Sequence, residues 1–186
     1  SDQAFARLGL EKASMKLVSI EEQDKFLDQV NKETFSLASG GSVANSIIAI
    51  SQLGGKAAFI SRITDDRFGK HYTSEFAELG ILFPVKPASG GGTGTSIVLI
   101  TPDAERTMQT CLGISSTLAP EHLDESIIAR SQWLFLEGYI LSNPGSGSLL
   151  ARHAVNMAKE HGTKVAFTFS EAWVVETFRS DVEQIV

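Results

Sequence analysis

The chain has 186 residues, 42% hydrophobic and 20% charged, with a formal net charge of −6, which is enough apolar material for one core. The acidic balance and the lack of any Lys/Arg cluster argue against nucleic acid or an anionic membrane surface as the main partner and favour small molecules. The one cysteine, Cys111, leaves no disulfide framework or structural zinc site, so a reducing cytoplasm is the expected setting; the apolar runs at 97–100 and 165–169 are far too short to span a bilayer.

In chain order, the stretch SGGSVANSII at 39–48 opens an amphipathic helix over 43–53, with Val43, Ala44, Ile47, Ile48 and Leu53 on one side and Gly54 and Gly55 ending it. An apolar strand follows at 57–60. Asp65 and Asp66 are natural N-caps for a helix on which Phe68, Tyr72, Phe76 and Leu79 recur, closed by Gly80. Over 82–112 the pattern changes: two prolines and a glycine run precede strands at 95–101 and 106–112 joined by a Pro102-Asp103 turn. Alternation then resumes with a buried strand at 133–136, a helix over 147–161, a strand at 165–169 and a short helix from about Glu171. Uniformly apolar strands separated by helices predict an α/β fold with a parallel-type sheet and helices on both faces.

Several of these stretches could carry chemistry. Ser42 fits the N-cap of the first helix, and Gly40 and Gly41 let a ligand approach the backbone where the helix offers unpaired N–H groups. Such a junction grips hydroxyls or phosphate, or it is simply a tight loop. It is neither a Walker loop nor the G-x-G-x-x-G dinucleotide fingerprint, which disfavours a nucleotide-cofactor oxidoreductase. The run at 90–94 enters a strand rather than a helix, so a flexible lid is expected there instead of a phosphate loop. Arg106, sharing a face with Met108 and Thr110, either meets something anionic or pairs with Asp103 or Glu105. Glu137 stands at the carboxyl end of a buried strand, where it can accept hydrogen bonds from sugar hydroxyls or serve a neighbouring backbone N–H. Ser170 and Glu171 read as the N-cap and first turn of the next helix. His71, His122, His153 and His161 lack metal-binding spacing and read as surface or packing residues.

Taken together, GGSVAN opening a helix, then QLGGKAAFISRITDDRFG, the hairpin TSIVLITPDAERTMQTCLG and WLFLEGYIL closely resemble the ribokinase-like (PfkB) carbohydrate kinases, and within them the adenosine-kinase-like sugar kinases. The TPDAERTM hairpin is the most specific part. The resemblance implies a ribokinase-like three-layer sandwich with a small β lid: residues 1–186 form a partial domain, with 82–112 the strand-rich lid inserted in it. It implies transfer of the ATP γ-phosphoryl group to a sugar or nucleoside hydroxyl, with ATP and Mg2+ needed by the complete protein. Gly40, Gly41, Ser42, Asn45 and Glu137 would hold the sugar, and Arg106 would reach from the lid to the transferring phosphate. Val43 stands where the family usually has a small residue, and Ser61 and Thr64 where glycines are common. The family's first strand with its substrate-binding aspartate and its later Gly-Ala-Gly-Asp motif with the catalytic base have no counterpart here. The expectation is therefore a substrate-binding half, short at both ends and inactive alone; the alternative is a non-catalytic sugar-binding or regulatory module. The hairpin edge would also offer a surface for a second copy.

Overall fold

Glycine or aspartate stands at several element boundaries in the computed structural model, which describes residues 10–29 and 35–186. Two sheets result, one of three strands and one of two, with helices packed between and around them.

The sequence predicts no element before residue 39, yet two form there. Strand β1 (Met15–Leu17) is followed by helix α1 (Ile20–Leu27). Ser19 caps α1 in a reciprocal box: it accepts the Glu22 N–H (3.2 Å) and gives its own N–H to the Glu22 carboxylate (2.8 Å), filling two of the donors that a helix start leaves open. Three residues of strand are too few for periodicity to reveal, and β1 exists because it pairs with a strand some ninety residues later.

Helix α2 (Ser42–Gln52) buries Ala44 completely and packs Ile47 and Ile48 into a small core with Phe76 and Ile81. Leu53 departs from its expected side: as the C-cap it is 88% exposed. Helix α3 (Arg67–Glu78) starts at Asp66, as expected, and aligns Tyr72, Phe76 and Leu79 on the same core. Phe76 is fully buried and meets Tyr72 and Phe83 at ring-centroid distances of 4.4 and 5.3 Å. Gly69 is required for close approach, because a Cβ there would stand 2.0 Å from the Thr64 carbonyl oxygen.

The strand expected at 57–60 is not a full strand. Residues 57–64 run parallel to residues 82–88 and join them through two isolated bridges, Ala58 with Leu82 and, past the expected strand, Thr64 with Ala88. Pro84 and Pro87 lie between those bridges and have no N–H to give, which interrupts the ladder.

The predicted hairpin is present as β2 (Thr95–Ile100) and β3 (Arg106–Cys111), antiparallel with Ile100 opposite Arg106. β1 adds in parallel on the other side of β3, placing Met15 and Val98 on either side of Met108. Thus β3 is central, and β1 and β2 form the two edges of this sheet among the described residues. The face carrying Thr107, Gln109 and Cys111 is buried, and Gln23 of α1 crosses it, donating to the Gln109 carbonyl (3.1 Å) and accepting from the Thr95 hydroxyl (2.6 Å). Arg106 stands on the opposite, more open face, so its place at an exposed tip is ordinary for a guanidinium.

The glycine run is only partly loose. Gly90 and Gly91 take positive φ with open space around Gly90, but from Gly92 the chain is stitched down. The Gly92 carbonyl accepts from Ile114 N–H (2.8 Å), and the Thr93 N–H is taken by Asp66 (2.8 Å). Thr64, where the family commonly has glycine, uses its N–H to reach the Thr93 hydroxyl (3.0 Å) and is buried there.

Two 3-10 turns and a short helix α4 (Glu125–Arg130) lead into β4 (Trp133–Glu137), which pairs in parallel with β5 (Lys164–Thr168). Helix α5 (Gly147–Glu160) lies on them, with Leu150, Ala151, Ala154, Val155 and Ala158 at 3% exposure or less. Leu134 and Leu136 face this larger core. Strand alternation turns Glu137 to the other side, where α2 lies against β4. Helices α6 (Ala172–Thr177) and α7 (Arg179–Ile185) complete the core through Val174, Val182 and Ile185. Ser170 does not cap α6: it sits at φ 65°, and its hydroxyl accepts from Tyr139 N–H (3.3 Å), while Glu171 is the N-cap residue.

Candidate functional site where helix α2 meets strand β4

The start of α2 differs from expectation by one residue, and the difference matters. Gly41, at φ 116°, is the N-cap, a conformation L side chains rarely adopt. The helix begins at Ser42 and its N-terminus carries no side-chain cap. The first intrahelical bond runs from Asn45 N–H to the Gly41 carbonyl (2.8 Å), so the N–H groups of Ser42, Val43 and Ala44 have no intrahelical partner and carry the positive end of the helix dipole. Freed from capping, the Ser42 hydroxyl instead donates to Glu137 Oε2, 95 positions away in sequence. Neither of the roles that the sequence left open for Glu137 includes this serine.

Thus five residues singled out from sequence are brought to one corner: Gly40, Gly41, Ser42 and Asn45 at the loop and first turn of α2, and Glu137 at the end of β4. Asn45 is exposed and makes no side-chain hydrogen bond among the described residues. The corner offers unpaired N–H donors and an exposed amide on one side and a carboxylate on the other, a set that suits a polyhydroxylated ligand. Gly40, Gly41, Ser42 and Asn45 are exposed there. Two clefts lie elsewhere, one of about 310 Å3 along α3 beside Ile63, Thr73 and Pro87, the other of about 180 Å3 between residues 60–62 and 84–86. Neither touches Ser42 or Glu137, and donor chemistry marks the corner.

Sequence reasoning missed a second layer behind it. Tyr72 of α3 donates its hydroxyl to the Gly40 carbonyl (3.3 Å), and Glu75 accepts the Ser39 N–H (2.9 Å). Burial, then the nearby Glu137 and Glu75 carboxylates, pushes the Tyr72 hydroxyl well above its ordinary value, so it stays a donor. Beyond β4, Glu171 accepts from the Tyr139 hydroxyl (2.8 Å) and the Trp173 indole (3.0 Å). Burial first, then Glu171, pushes Tyr139 up to about 12.

Arg106 is not brought into this corner by any contact of the described residues. The pairing with Asp103 or Glu105 does not form either, because Asp103 is held by Lys12 and the Thr101 hydroxyl (2.5 Å). Among the described residues no group of three His, Cys, Asp or Glu side chains is placed to hold a metal ion. No helix among them is long and apolar enough to cross a membrane.

Parallel strands covered by helices, a strand-rich hairpin module, and a glycine-opened helix meeting the end of a strand define the ribokinase-like α/β class. The chain belongs to the pfkB family of carbohydrate kinases, whose family model matches residues 10–185. It is similar to a 5-dehydro-2-deoxygluconokinase of Photobacterium profundum, 32% identical over 144 residues, which are 74% of this chain and 41% of that protein. It is similar also to the ribokinase of Haemophilus influenzae, 31% identical over 146 residues, 77% of this chain and 46% of that one. Among solved structures it matches the adenosine kinase of Sinorhizobium meliloti with a TM-score of 0.90 at 30% identity, over 100% of this chain and 56% of that one. The chain therefore spans about half the length of the relatives it matches.

Proposed function

We propose that this stretch supplies the acceptor side of an ATP-dependent sugar or nucleoside kinase acting in the cytoplasm. The acceptor is held between Gly40, Gly41, Ser42 and Asn45 on one side and Glu137 on the other. The observation that carries the reading is the Ser42–Glu137 hydrogen bond, which ties a helix start to a strand end at a place suited to hydroxyl groups. In this reading an incoming hydroxyl exchanges with Ser42 as donor to Glu137, and the N–H groups of the first turn of α2 donate to the sugar oxygens. Residues 82–112 act as the lid, and Arg106 at its tip meets charge on the transferring phosphoryl group. The triphosphate, Mg2+ and the base that takes the hydroxyl proton are met by the remainder of the complete protein. Sugar acids, ribose and nucleosides are the acceptor classes to test, given the names of the relatives.

The test is calorimetric titration of the complete protein with ribose, adenosine and 5-dehydro-2-deoxygluconate, then repetition with Ser42→Ala and Glu137→Gln. Each substitution should weaken binding of the acceptor by about 1–3 kcal/mol, the worth of one well-made polar contact, and leave ATP affinity as it was. Parental acceptor affinity in both variants would refute the site.

A further inference from the structure

Taking the Ser42–Glu137 corner as the acceptor site, we infer that Glu75 of α3 is a positioning residue for its loop: the carboxylate clamps the Ser39 N–H while Tyr72, three residues earlier, clamps the Gly40 carbonyl. Neither residue is among those expected to touch the acceptor, and each acts through the main chain of the loop.

The need for such a clamp follows from the loop's composition. Gly40 and Gly41 stand side by side, Gly40 with nothing within 4 Å of where a Cβ would be and Gly41 at φ 116°. Adjacent glycines lose more conformational freedom on ordering than any other pair, and neither has a side chain with which to anchor itself. The order must come from outside, and α3 supplies it. Glu75 Oε2 lies 2.9 Å from the Ser39 nitrogen, and the Tyr72 hydroxyl lies 3.3 Å from the Gly40 oxygen. Both clamps rest on a fixed base, since the Tyr72 ring is packed among Phe59, Phe76 and Phe83 and α3 is capped at Asp66.

The carboxylate is itself supported. His71, one turn earlier, brings Nε2 to 3.2 Å from Glu75 Oε2, an ion-pair distance without hydrogen-bond alignment. The Ser39 hydroxyl beside Glu75, then the Ser39 N–H, hold its carboxyl below the ordinary value, although that hydroxyl meets no partner at full hydrogen-bond geometry. Glu75 is thus an acceptor at neutral pH, and Tyr72 is a firm donor. A loop ordered before the ligand arrives does not pay that ordering on binding, so the clamp acts on acceptor affinity far more than on turnover.

The experiment uses the complete protein and its Glu75→Ala, Glu75→Gln and Tyr72→Phe variants. It reads amide hydrogen exchange over 39–42, together with affinity and turnover for ribose, adenosine and 5-dehydro-2-deoxygluconate. Glu75→Ala should speed exchange at the Ser39 amide about tenfold and raise the acceptor Kd about five- to tenfold, with kcat within about twofold. Glu75→Gln keeps an oxygen for the Ser39 N–H and should restore most of both. Tyr72→Phe keeps the ring packing and should raise Kd about threefold to fivefold. Unchanged Ser39 exchange in Glu75→Ala overturns the clamp whichever probes bind, as does a Glu75→Gln variant no better than Glu75→Ala. Failure of the unmodified protein to bind any of the three probes would instead overturn the acceptor-site reading, and the exchange data would still decide whether Glu75 holds the loop.

Discussion

Replacing Asp66 by alanine removes two hydrogen bonds that join separate parts of the molecule. Oδ1 accepts the Gly69 N–H (2.8 Å) at the first turn of α3, and Oδ2 accepts the Thr93 N–H (2.8 Å) at the base of the hairpin. As a helix cap alone the residue is worth about 1 kcal/mol. The second bond, from a partly buried N–H to a charged acceptor, adds about 1.5–3 kcal/mol because the donor would be left unpaired. Asp66→Ala should therefore cost about 2.5–4 kcal/mol in urea unfolding of the complete protein, and Asp66→Asn, whose amide has one acceptor oxygen for two donors, about half of that. The charge gives an independent measure. Burial pushes the Asp66 carboxyl up, but the N–H groups of Gly69 and Thr93 outweigh it and hold it at about 2, against an ordinary 3.8. A folded-state value below the unfolded one means stability that is full above about pH 4 and fades as pH falls through 3.8 towards 2. Undiminished, that shift corresponds to about 2 kcal/mol; solvent screening of this partly exposed carboxylate reduces it to about 1 kcal/mol. Unfolding free energies within about 0.5 kcal/mol of the parent for Asp66→Ala, or an acid limb the same as the parent's, would refute the reasoning.

Three further outcomes are expected. Asn45→Ala should weaken acceptor binding by about 1–3 kcal/mol in calorimetry, because its exposed amide at the first turn of α2 is free to meet a ligand; an unchanged dissociation constant removes it from the site. Arg106→Ala should lower kcat much more than acceptor affinity in steady-state kinetics, and equal effects on both count against a role in the transferring charge. Phe76→Ala should lower unfolding stability by about 3–5 kcal/mol, since the ring is fully buried among three other aromatic rings; a loss under 1 kcal/mol would mean the small core collapses around the gap.

Sequence pattern reached far into this fold where local chemistry and burial agree. Helices α3 and α5 follow from residues at helical spacing, with Asp66 before α3 and Gly80 after it, and the hairpin follows from alternation on either side of Pro102-Asp103. Pattern failed where one residue had two competing uses. Ser42 is a good N-cap by residue type, but a carboxylate 95 positions away takes its hydroxyl and leaves the cap to a glycine. It failed also where pairing is long-range and short: β1 has three residues, and the segment at 57–60 loses its ladder to prolines in its partner. Glu75 left no signal and Tyr72 showed only as part of its helix's apolar stripe, because residues on a helix facing a loop look like any other half-buried positions.

The hydrogen bonds that hold the loop before α2 and the hairpin base share one trait: Glu75 ends on the Ser39 N–H, Tyr72 on the Gly40 carbonyl and Asp66 on the Thr93 N–H. All three targets are main-chain atoms, which nineteen of the twenty amino acids present alike apart from the N–H that proline lacks. A lineage could therefore exchange the side chain at Ser39, retuning what the loop offers a substrate, without dismantling the scaffold that holds it. Only proline at that site would break the grip.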